Sequence, residues 1–484
     1  MNWILISKVA YLLIVFLVIL RVLYDTRSSI KALAYILFII FAPVAGMLFY
    51  FSFGINYRKR KLYSKKISID EPLRLRIRNN MNTYSEAILD SGLIEEKYKT
   101  LTEFIRRSGS SPLTANNDVK LLINGEDKFP VLVKALLNAK NHIHLEYYIY
   151  ENDITGNEIA EILIKKAKEG VEVRFMYDDF GSHGLGKSFI QRLKRAGIQT
   201  APFYKIKWYA LASRINYRNH RKIIIIDGKV SFVGGINMSD KYRNDLETKN
   251  RLYWRDTHLM ITGQATAYLQ YLFVCDWNFC SNTKLAYSEV YFPDTSQQEI
   301  IENDVVQIAA SGPDSAQPLI FYSLLEAISC AKKSIYITSP YFIPGESLMD
   351  ALIIAIQSGL DVKVLIPGIS DSKMVNTAAS AYYTELLQYG AKIYKYNKGF
   401  VHAKTMVIDN DLAIIGSANM DYRSFDLNFE VNAMVYSKNI ANQLTVAFED
   451  DLKVSEQIDK DSWLNRPKHI HLWEKVVRLL SPFL

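Results

Sequence analysis

One block of sequence occurs twice in this chain, and the two copies align without a gap. The first runs His220-Arg-Lys222-Ile-Ile-Ile-Ile-Asp227 and closes on Gly234-Gly235-Ile-Asn237. The second runs His402-Ala-Lys404-Thr-Met-Val-Ile-Asp409 and closes on Gly416-Ser417-Ala-Asn419. Both read HxKx4Dx6G[GS]xN. A lone His-x-Lys carries no information, and one copy is equally well a packed hairpin with basic residues. Two full copies in register demand a fold that repeats.

The surroundings repeat as well. Strand-like Val119–Gly125, helix-like Phe129–Ala139, strand Ile143–Tyr150, helix Thr155–Glu169 and strand Val171–Tyr177 form the first series. The second series is Val305–Gly312, Leu319–Ala331, Ile335–Ser339, Ser347–Ser358 and Val362–Ile366. Matching positions lie about 190 residues apart, and the offset falls to 182 at His220 and His402, so the first copy holds extra residues between Ser182 and Tyr217. Strand–helix alternation at this spacing predicts an α/β fold of two pseudo-twofold domains, each a mixed sheet flanked by helices. The expected bounds are 117–300 and 301–484, preceded by a basic flank and helical connector over 57–116. A site on such an axis receives one residue set from each half.

The motif geometry follows from strand periodicity. Residues two apart share a face, so His220 points with Lys222 and His402 with Lys404. Two-residue turns at Gly228-Lys229 and Asn410-Asp411 would place His220 opposite Asn237 and Lys222 opposite Gly235. They would likewise place His402 opposite Asn419 and Lys404 opposite Ser417. Each hairpin then offers a His, a Lys and an Asn beside a small residue that leaves room for a ligand. The candidate catalytic set is the motif triple in each copy, His220, Lys222 and Asp227 with His402, Lys404 and Asp409. The substrate-binding candidates are Asn237, Gly235, Asn419 and Ser417. The seven steps from His220 to Asp227 span roughly 23 Å of extended strand, so the motif aspartates organise a turn or domain interface and do not touch the imidazoles. Asp256 and Glu430, on strand-like segments shortly after each hairpin, are the candidates to orient the histidines.

This cluster suits a phosphodiester. Ammonium and amide groups hold non-bridging oxygens, one histidine attacks phosphorus and a second protonates the leaving alkoxide. Neither motif carries the carboxylate cluster that magnesium requires, so no metal or other cofactor is expected. His142 and His144 share a strand face but have no third ligand in view, and a packed strand pair is the better reading. Cys275, Cys280 and Cys330 show no disulfide framework or zinc spacing.

The N-terminus sets the location. Ala32–Phe51 runs for twenty residues without a charge, long enough to cross a bilayer core. Val9–Leu20, with softer edges at Trp3 and Tyr24, is shorter. No small-x-small cleavage site precedes Asp25, so a hairpin of two spans (about 3–24 and 31–53) within residues 1–56 is preferred to a signal peptide. Arg58, Lys59, Arg60, Lys61, Lys65 and Lys66 follow, which puts the long C-terminal part in the cytoplasm of a multi-pass cell-membrane protein. The net charge of +8 and this flank point to an anionic membrane surface as partner. No basic–aromatic run resembles a nucleic-acid groove. Lys205-Ile-Lys-Trp-Tyr209 would dip into headgroups or pack Trp208 in the core. Leu472, Val476, Leu479, Leu480 and Phe483 share a helical face that would bind a surface or pack on its own domain.

The doubled pattern resembles the HKD signature of the phospholipase D superfamily, and the whole chain resembles its bacterial cardiolipin synthases. The features concerned include His144-Leu-Glu-Tyr-Tyr-Ile149, Asp178-Asp-Phe-Gly-Ser182, Asn219-His-Arg-Lys222, Ser339-Pro-Tyr-Phe-Ile-Pro344 and Arg478-Leu-Leu-Ser-Pro-Phe-Leu484. The resemblance implies that two phosphatidylglycerols become cardiolipin and glycerol through a phosphatidyl-histidine. It makes His220 the nucleophile and His402 the acid, then the base. A hydrolase with the same site and an inactive membrane scaffold are the alternatives, the latter opposed by the intact His, Lys and Asn of both copies.

Overall fold

The structure, a computed structural model, describes residues 3–26, 29–51, 84–109, 111–203, 217–246, 252–295 and 303–481. Two compact units divide the chain: Met1–Ile69 with Ile206–Tyr217, and Asp70–Lys205 with Arg218–Leu484. The basic flank, most of the connector, Lys205–Tyr209 and Phe483 lie outside the described residues.

In the first unit, helix Trp3–Asp25 is long and apolar enough to span a bilayer. The second expected span is not one helix. Proline has no N–H and clashes with the carbonyl four residues back, and it drives the preceding residue out of the helical region. Ala42 accordingly sits at φ −138°, ψ 70°, and the segment splits into Ser29–Phe41 and Pro43–Phe49. The second piece turns back on the first. Phe38 meets Phe49 at 5.5 Å and Tyr35 meets Tyr50 at 5.4 Å between ring centroids. Gly46 presses so closely on Ile39 that a Cβ there would lie 2.7 Å from backbone atoms. The Tyr50 hydroxyl ends 3.4 Å from the Asp25 carboxylate, which accepts its proton.

The second unit is built on β1 (Leu113–Ile123), β2 (His142–Tyr147), β3 (Glu172–Asp178), β4 (Gln199–Phe203), β5 (Lys222–Ile226), β6 (Val230–Gly234), β7 (Tyr253–Arg255) and β8 (Thr257–Gly263). The second repeat supplies β9 (Asp304–Ser311), β10 (Ser334–Thr338), β11 (Asp361–Pro367), β12 (Lys392–Tyr396), β13 (Gly399–Val401), β14 (Thr405–Ile408), β15 (Leu412–Gly416), β16 (Glu430–Tyr436) and β17 (Ser455–Gln457). Among the described residues fifteen strands form one sheet, ordered β4-β3-β2-β5-β6-β8-β1-β9-β16-β15-β14-β10-β11-β12-β17. Apart from the edge strand β17 the order is a palindrome, with each strand of one repeat mirrored in the other. The β1–β9 pairing, antiparallel with Leu113 opposite Gln307, is the seam. The predicted alternation of strands and helices holds in both copies.

The connector departs from expectation. Rather than leading only toward the first repeat, Tyr98, Leu101 and Ile105 share a core with Ile320, Leu324 and Ile335 of the second. Lys97 also donates to Asp409 and Asp411 at the second hairpin turn, at 2.7 and 2.8 Å.

Candidate active site

Burial forces β5 and β14 to be strands. Ile223–Ile226 and Thr405–Ile408 are buried throughout, and β-branched runs enclosed on both faces favour extended backbone. The hairpin registers differ by one residue from the sequence expectation. Ile226 pairs with Val230 and Ile408 with Leu412, so three residues form each loop. Asp227 (φ 55°) and Gly228 (φ 65°), like Asp409 (φ 53°) and Asn410 (φ 60°), take the left-handed region that such loops use. The slip moves Lys404 opposite Gly416, whose N–H reaches the Lys404 carbonyl at 3.2 Å. It also removes the expected pairing of His220 with Asn237 and of His402 with Asn419.

The motif aspartates hold backbone. Asp227 accepts the N–H groups of Lys140, Asn141 and His142 at 2.7–2.9 Å. Asp409 accepts those of Lys332, Lys333 and Ser334 at 2.7–2.8 Å. Both fasten the helix-to-strand corner before β2 or β10. Their place in the catalytic set is corrected by this geometry, since all of their contacts lie away from the imidazoles.

The histidines are completed across the seam. The His220 N–H donates to the Phe429 carbonyl at 2.9 Å, and the next residue is Glu430, whose Oε2 accepts from His220 Nδ1 at 3.0 Å. In the mirror arrangement the His402 N–H donates to the Arg255 carbonyl at 2.7 Å, and Asp256 Oδ2 accepts from His402 Nδ1 at 2.7 Å. The structure thus brings each of the two carboxylates singled out in the sequence, Asp256 and Glu430, against the imidazole of the other repeat. With Nδ1–H held, Nε2 of each ring keeps its lone pair.

Gly235 and Ser417 explain how the carboxylates fit. A Cβ on Gly235 would stand 2.1 Å from Asp256 Oδ1, so glycine makes room for that carboxylate rather than for a ligand. At the matching position the Ser417 hydroxyl donates to Glu430 Oε2 at 2.5 Å, and the Ser417 carbonyl lies 3.1 Å from His220 Nδ1. Asn237 is buried and donates to the Tyr242 hydroxyl at 2.8 Å, which in turn lies 3.4 Å from His402 Nδ1. Among the described residues the buried Asn419 side-chain oxygen meets no hydrogen-bond donor, and a donor on a ligand would satisfy it.

The lysines are buried beside the histidines. Lys222 Nζ donates to the His220 carbonyl at 2.6 Å, and Lys404 Nζ to that of His402. Lys404 Nζ also lies 2.9 Å from His402 Nδ1. One ring nitrogen cannot both donate to Asp256 and accept from an ammonium, and the shorter contact to a carboxylate takes the proton. Burial pulls Lys222 down to about 7, with Lys404 adding to the fall while Glu430 opposes it. Burial likewise pulls Lys404 to about 8. His402 falls to about 3 through burial and the Lys404 charge, opposed by Asp256, and burial lowers His220 too. Burial raises Asp256 and Glu430, but the neighbouring cations and histidines outweigh it and hold both below the usual carboxylate range. Each lysine's charge is felt by the other repeat's histidine, so the two motifs form one electrostatic site.

Several flanking groups lie outside the two His–Lys motifs. Tyr148 stands edge-on to His220 at 4.7 Å, and Trp254 and Phe400 lie 5.4 and 5.7 Å from His402. Asp178, inside one of the family-like stretches, accepts the Asn219 N–H at 3.0 Å and so pins the start of the first motif. His142 and His144 are a packed pair, as expected, both facing the Gln270 side-chain oxygen at 3.3 and 3.1 Å.

Two mirrored repeats that exchange carboxylates around a paired His–Lys cluster define a phospholipase D-like protein. The family described as "Cardiolipin synthase, PLD-like domain" matches residues 132–268 and 324–452, and "Phospholipase_D-nuclease N-terminal" matches residues 7–54. The cardiolipin synthase of Geobacillus sp. (strain WCH70) is 43% identical, covering 91% of this chain and 86% of its own. The major cardiolipin synthase ClsA of Bacillus subtilis (strain 168) is 40% identical, covering 98% of each. The crystal structure of phosphatidylserine synthase from Haemophilus influenzae Rd KW20 shares the fold, with a TM-score of 0.59 at 13% identity over 80% of this chain and 100% of that one. The chain belongs to the cardiolipin synthase family of phospholipase D-like enzymes.

Proposed function

We propose that the chain transfers a phosphatidyl group between two phosphatidylglycerol molecules, yielding cardiolipin and glycerol. The observation that carries this reading is the crossed pair of His–carboxylate contacts around two buried lysines. His220 Nε2 attacks the phosphorus of the first lipid, and the bond to its headgroup glycerol breaks. His402, as imidazolium, gives its Nε2 proton to the departing glycerol oxygen. The resulting phosphatidyl-His220 is then attacked by a headgroup hydroxyl of the second lipid. His402 takes that proton, and the His220 nitrogen leaves. Lys222, Lys404 and the Asn419 amide face the phosphate oxygens, where negative charge builds. Burial and Lys404 keep His402 neutral when no anion is present. An entering phosphodiester offsets the ammonium charges and raises the proton affinity of the ring.

The chain is membrane-associated through its N-terminal apolar helix. The basic flank supports a cytoplasmic catalytic unit. The folded-back segment 29–51 supports a dip into the bilayer and return rather than a second crossing. Its arms of 13 and 7 residues reach only about 20 and 10 Å.

Incubating the purified chain with phosphatidylglycerol in mixed micelles and resolving the products tests the reaction. Cardiolipin with an equal yield of glycerol is expected. Phosphatidic acid without cardiolipin would replace transfer with hydrolysis. His220→Ala should form no labelled phosphatidyl-enzyme, and substantial labelling of that variant would assign the nucleophile elsewhere.

A further inference from the structure

The C-terminal helix Lys468–Arg478 has two different faces. Its inner face is fixed to the second repeat. Glu474 and Val477 are buried, Arg466 grips Glu474 through two hydrogen bonds of 2.8 and 3.0 Å, and Arg478 pairs with Glu385 at 3.1 Å. Just past the helix, Ser481 is buried and receives the Tyr382 hydroxyl at 3.3 Å. The helix is therefore a docked part of the fold.

Its outer face is bare and mainly apolar, with exposed His469 as the one polar side chain within it. Leu472, Trp473 and Leu479 are 65%, 61% and 75% exposed, and Val476 and Leu480 are exposed beside them. At 100° per residue these five side chains occupy an arc of about 120°. The cations that border one edge of this arc, Lys468 and Lys475, are both exposed, and among the described residues neither forms an ion pair. Neither of the two readings that the sequence allows for this helix excludes the other, because one face packs while the opposite face stays open. A bulky apolar stripe with an indole, edged by lysines, is the pattern of a helix lying in a membrane interface. A protein partner would need an apolar surface with acidic groups along one edge, whereas an anionic bilayer supplies acyl chains for the leucines and phosphates for the lysines along its whole surface.

We infer that the helix Lys468–Arg478, with the Leu479–Leu480 turn that follows it, is an interfacial element that seats the catalytic unit on an anionic lipid surface, separately from the N-terminal span. Its position fits delivery of lipid. The helix packs on Lys373–Tyr389, and the Arg478 charge reaches Tyr422, which directly follows Asp421 and the Asn419 motif end. The inference holds whether the acceptor is a lipid hydroxyl or water.

The test uses the full-length protein with Cys275, Cys280 and Cys330 replaced by alanine and Trp473→Cys carrying an environment-sensitive fluorophore. In vesicles containing phosphatidylglycerol the emission should shift to the blue and be quenched by shallow spin-labelled lipid, more strongly than in phosphatidylcholine vesicles. Water-like, unquenched emission in both would overturn the inference. So would shielding that persists in lipid-free detergent and grows with protein concentration, since a second copy would then cover the stripe. As a second measure, the combined Leu472→Ser, Val476→Ser, Leu479→Ser and Leu480→Ser variant should need several-fold more surface phosphatidylglycerol for half-maximal rate. Its rate on monomeric short-chain phosphatidylglycerol should be unchanged. An unchanged requirement in vesicles would count against the inference. Loss of both rates would report damage to folding or chemistry, and the fluorophore, which reads location without turnover, would then decide.

Discussion

Glu430 lies 210 residues beyond His220, yet its carboxylate stands 3.0 Å from the His220 Nδ1. Asp256 makes the reciprocal contact to His402 at 2.7 Å. The cause is in the backbone, because each histidine hydrogen-bonds the residue just before the other repeat's carboxylate.

Removing either negative charge should cost turnover while sparing the fold. For Glu430→Gln and Asp256→Asn we expect kcat to fall on the order of 10³-fold or more, in line with an amide holding the wrong tautomer of a catalytic imidazole. Gly235→Ala should act like Asp256→Asn, since its Cβ would displace that carboxylate. Cardiolipin formation rates, together with thermal unfolding of the same samples, check this; a variant within threefold of the parent would remove the carboxylate from the mechanism.

The motif aspartates should behave in the opposite way. Asp227→Ala strands three backbone N–H groups and should lower stability by about 1–3 kcal/mol, with kcat of the folded fraction nearly intact. Asp409→Ala should cost more because Lys97 also loses one of its carboxylate partners and keeps only Asp411 at the turn. Burial pushes the Asp409 carboxyl up, but Lys97 and the backbone donors bring it below its ordinary value. Its stabilising contribution is thus present above the unfolded carboxyl's pKa and lost as pH falls through the lower, folded one. Acid unfolding of the Asp409 variant should accordingly start from a lower plateau and show a shallower fall.

Lysines brought to about 7 and about 8 make anion binding a function of pH. Below these values both ammonium groups are charged, and as pH rises past them the charges are lost. Competitive inhibition by inorganic phosphate should weaken about tenfold or more between pH 6 and pH 9, as the loss of one or two charge contacts implies. Calorimetry in buffers of different ionisation enthalpy should show proton uptake on binding. A flat profile would mean that the phosphate contacts are made by other groups.

The folded-back segment predicts a topology. If one helix crosses and the following pair returns, residue 2 should lie across the membrane from Tyr50. Asn2→Cys should react with an impermeant maleimide added to intact cells, and Pro43→Ala, which restores a continuous helix, should reduce that labelling. Labelling of residue 2 only after lysis would instead support two full spans.

The repeat, the strand–helix alternation and the His–Lys pairs were legible because each rests on local periodicity. The carboxylates that meet the imidazoles were legible as residues but not as partners, since strand spacing says nothing about which half closes on which. The hairpin registers missed by one because Asp227 and Asp409 accept left-handed backbone themselves and lengthen the loop. Tyr242, Tyr148 and Trp254 reach the site from loops and edges that carry no spacing rule. The turn-back after Ala42 depends on Gly46 meeting Ile39, a tertiary contact that hydropathy along the chain does not carry.

Because the carboxylates are exchanged at the seam, neither repeat carries a working histidine by itself. A chain truncated after the first repeat holds His220 with no base behind it and Asp256 with nothing to orient. Activity thus reports the completeness of the polypeptide. The same crossing ties the two halves in descent, since a change that shifts one repeat's strand by a residue disarms the histidine of its sibling.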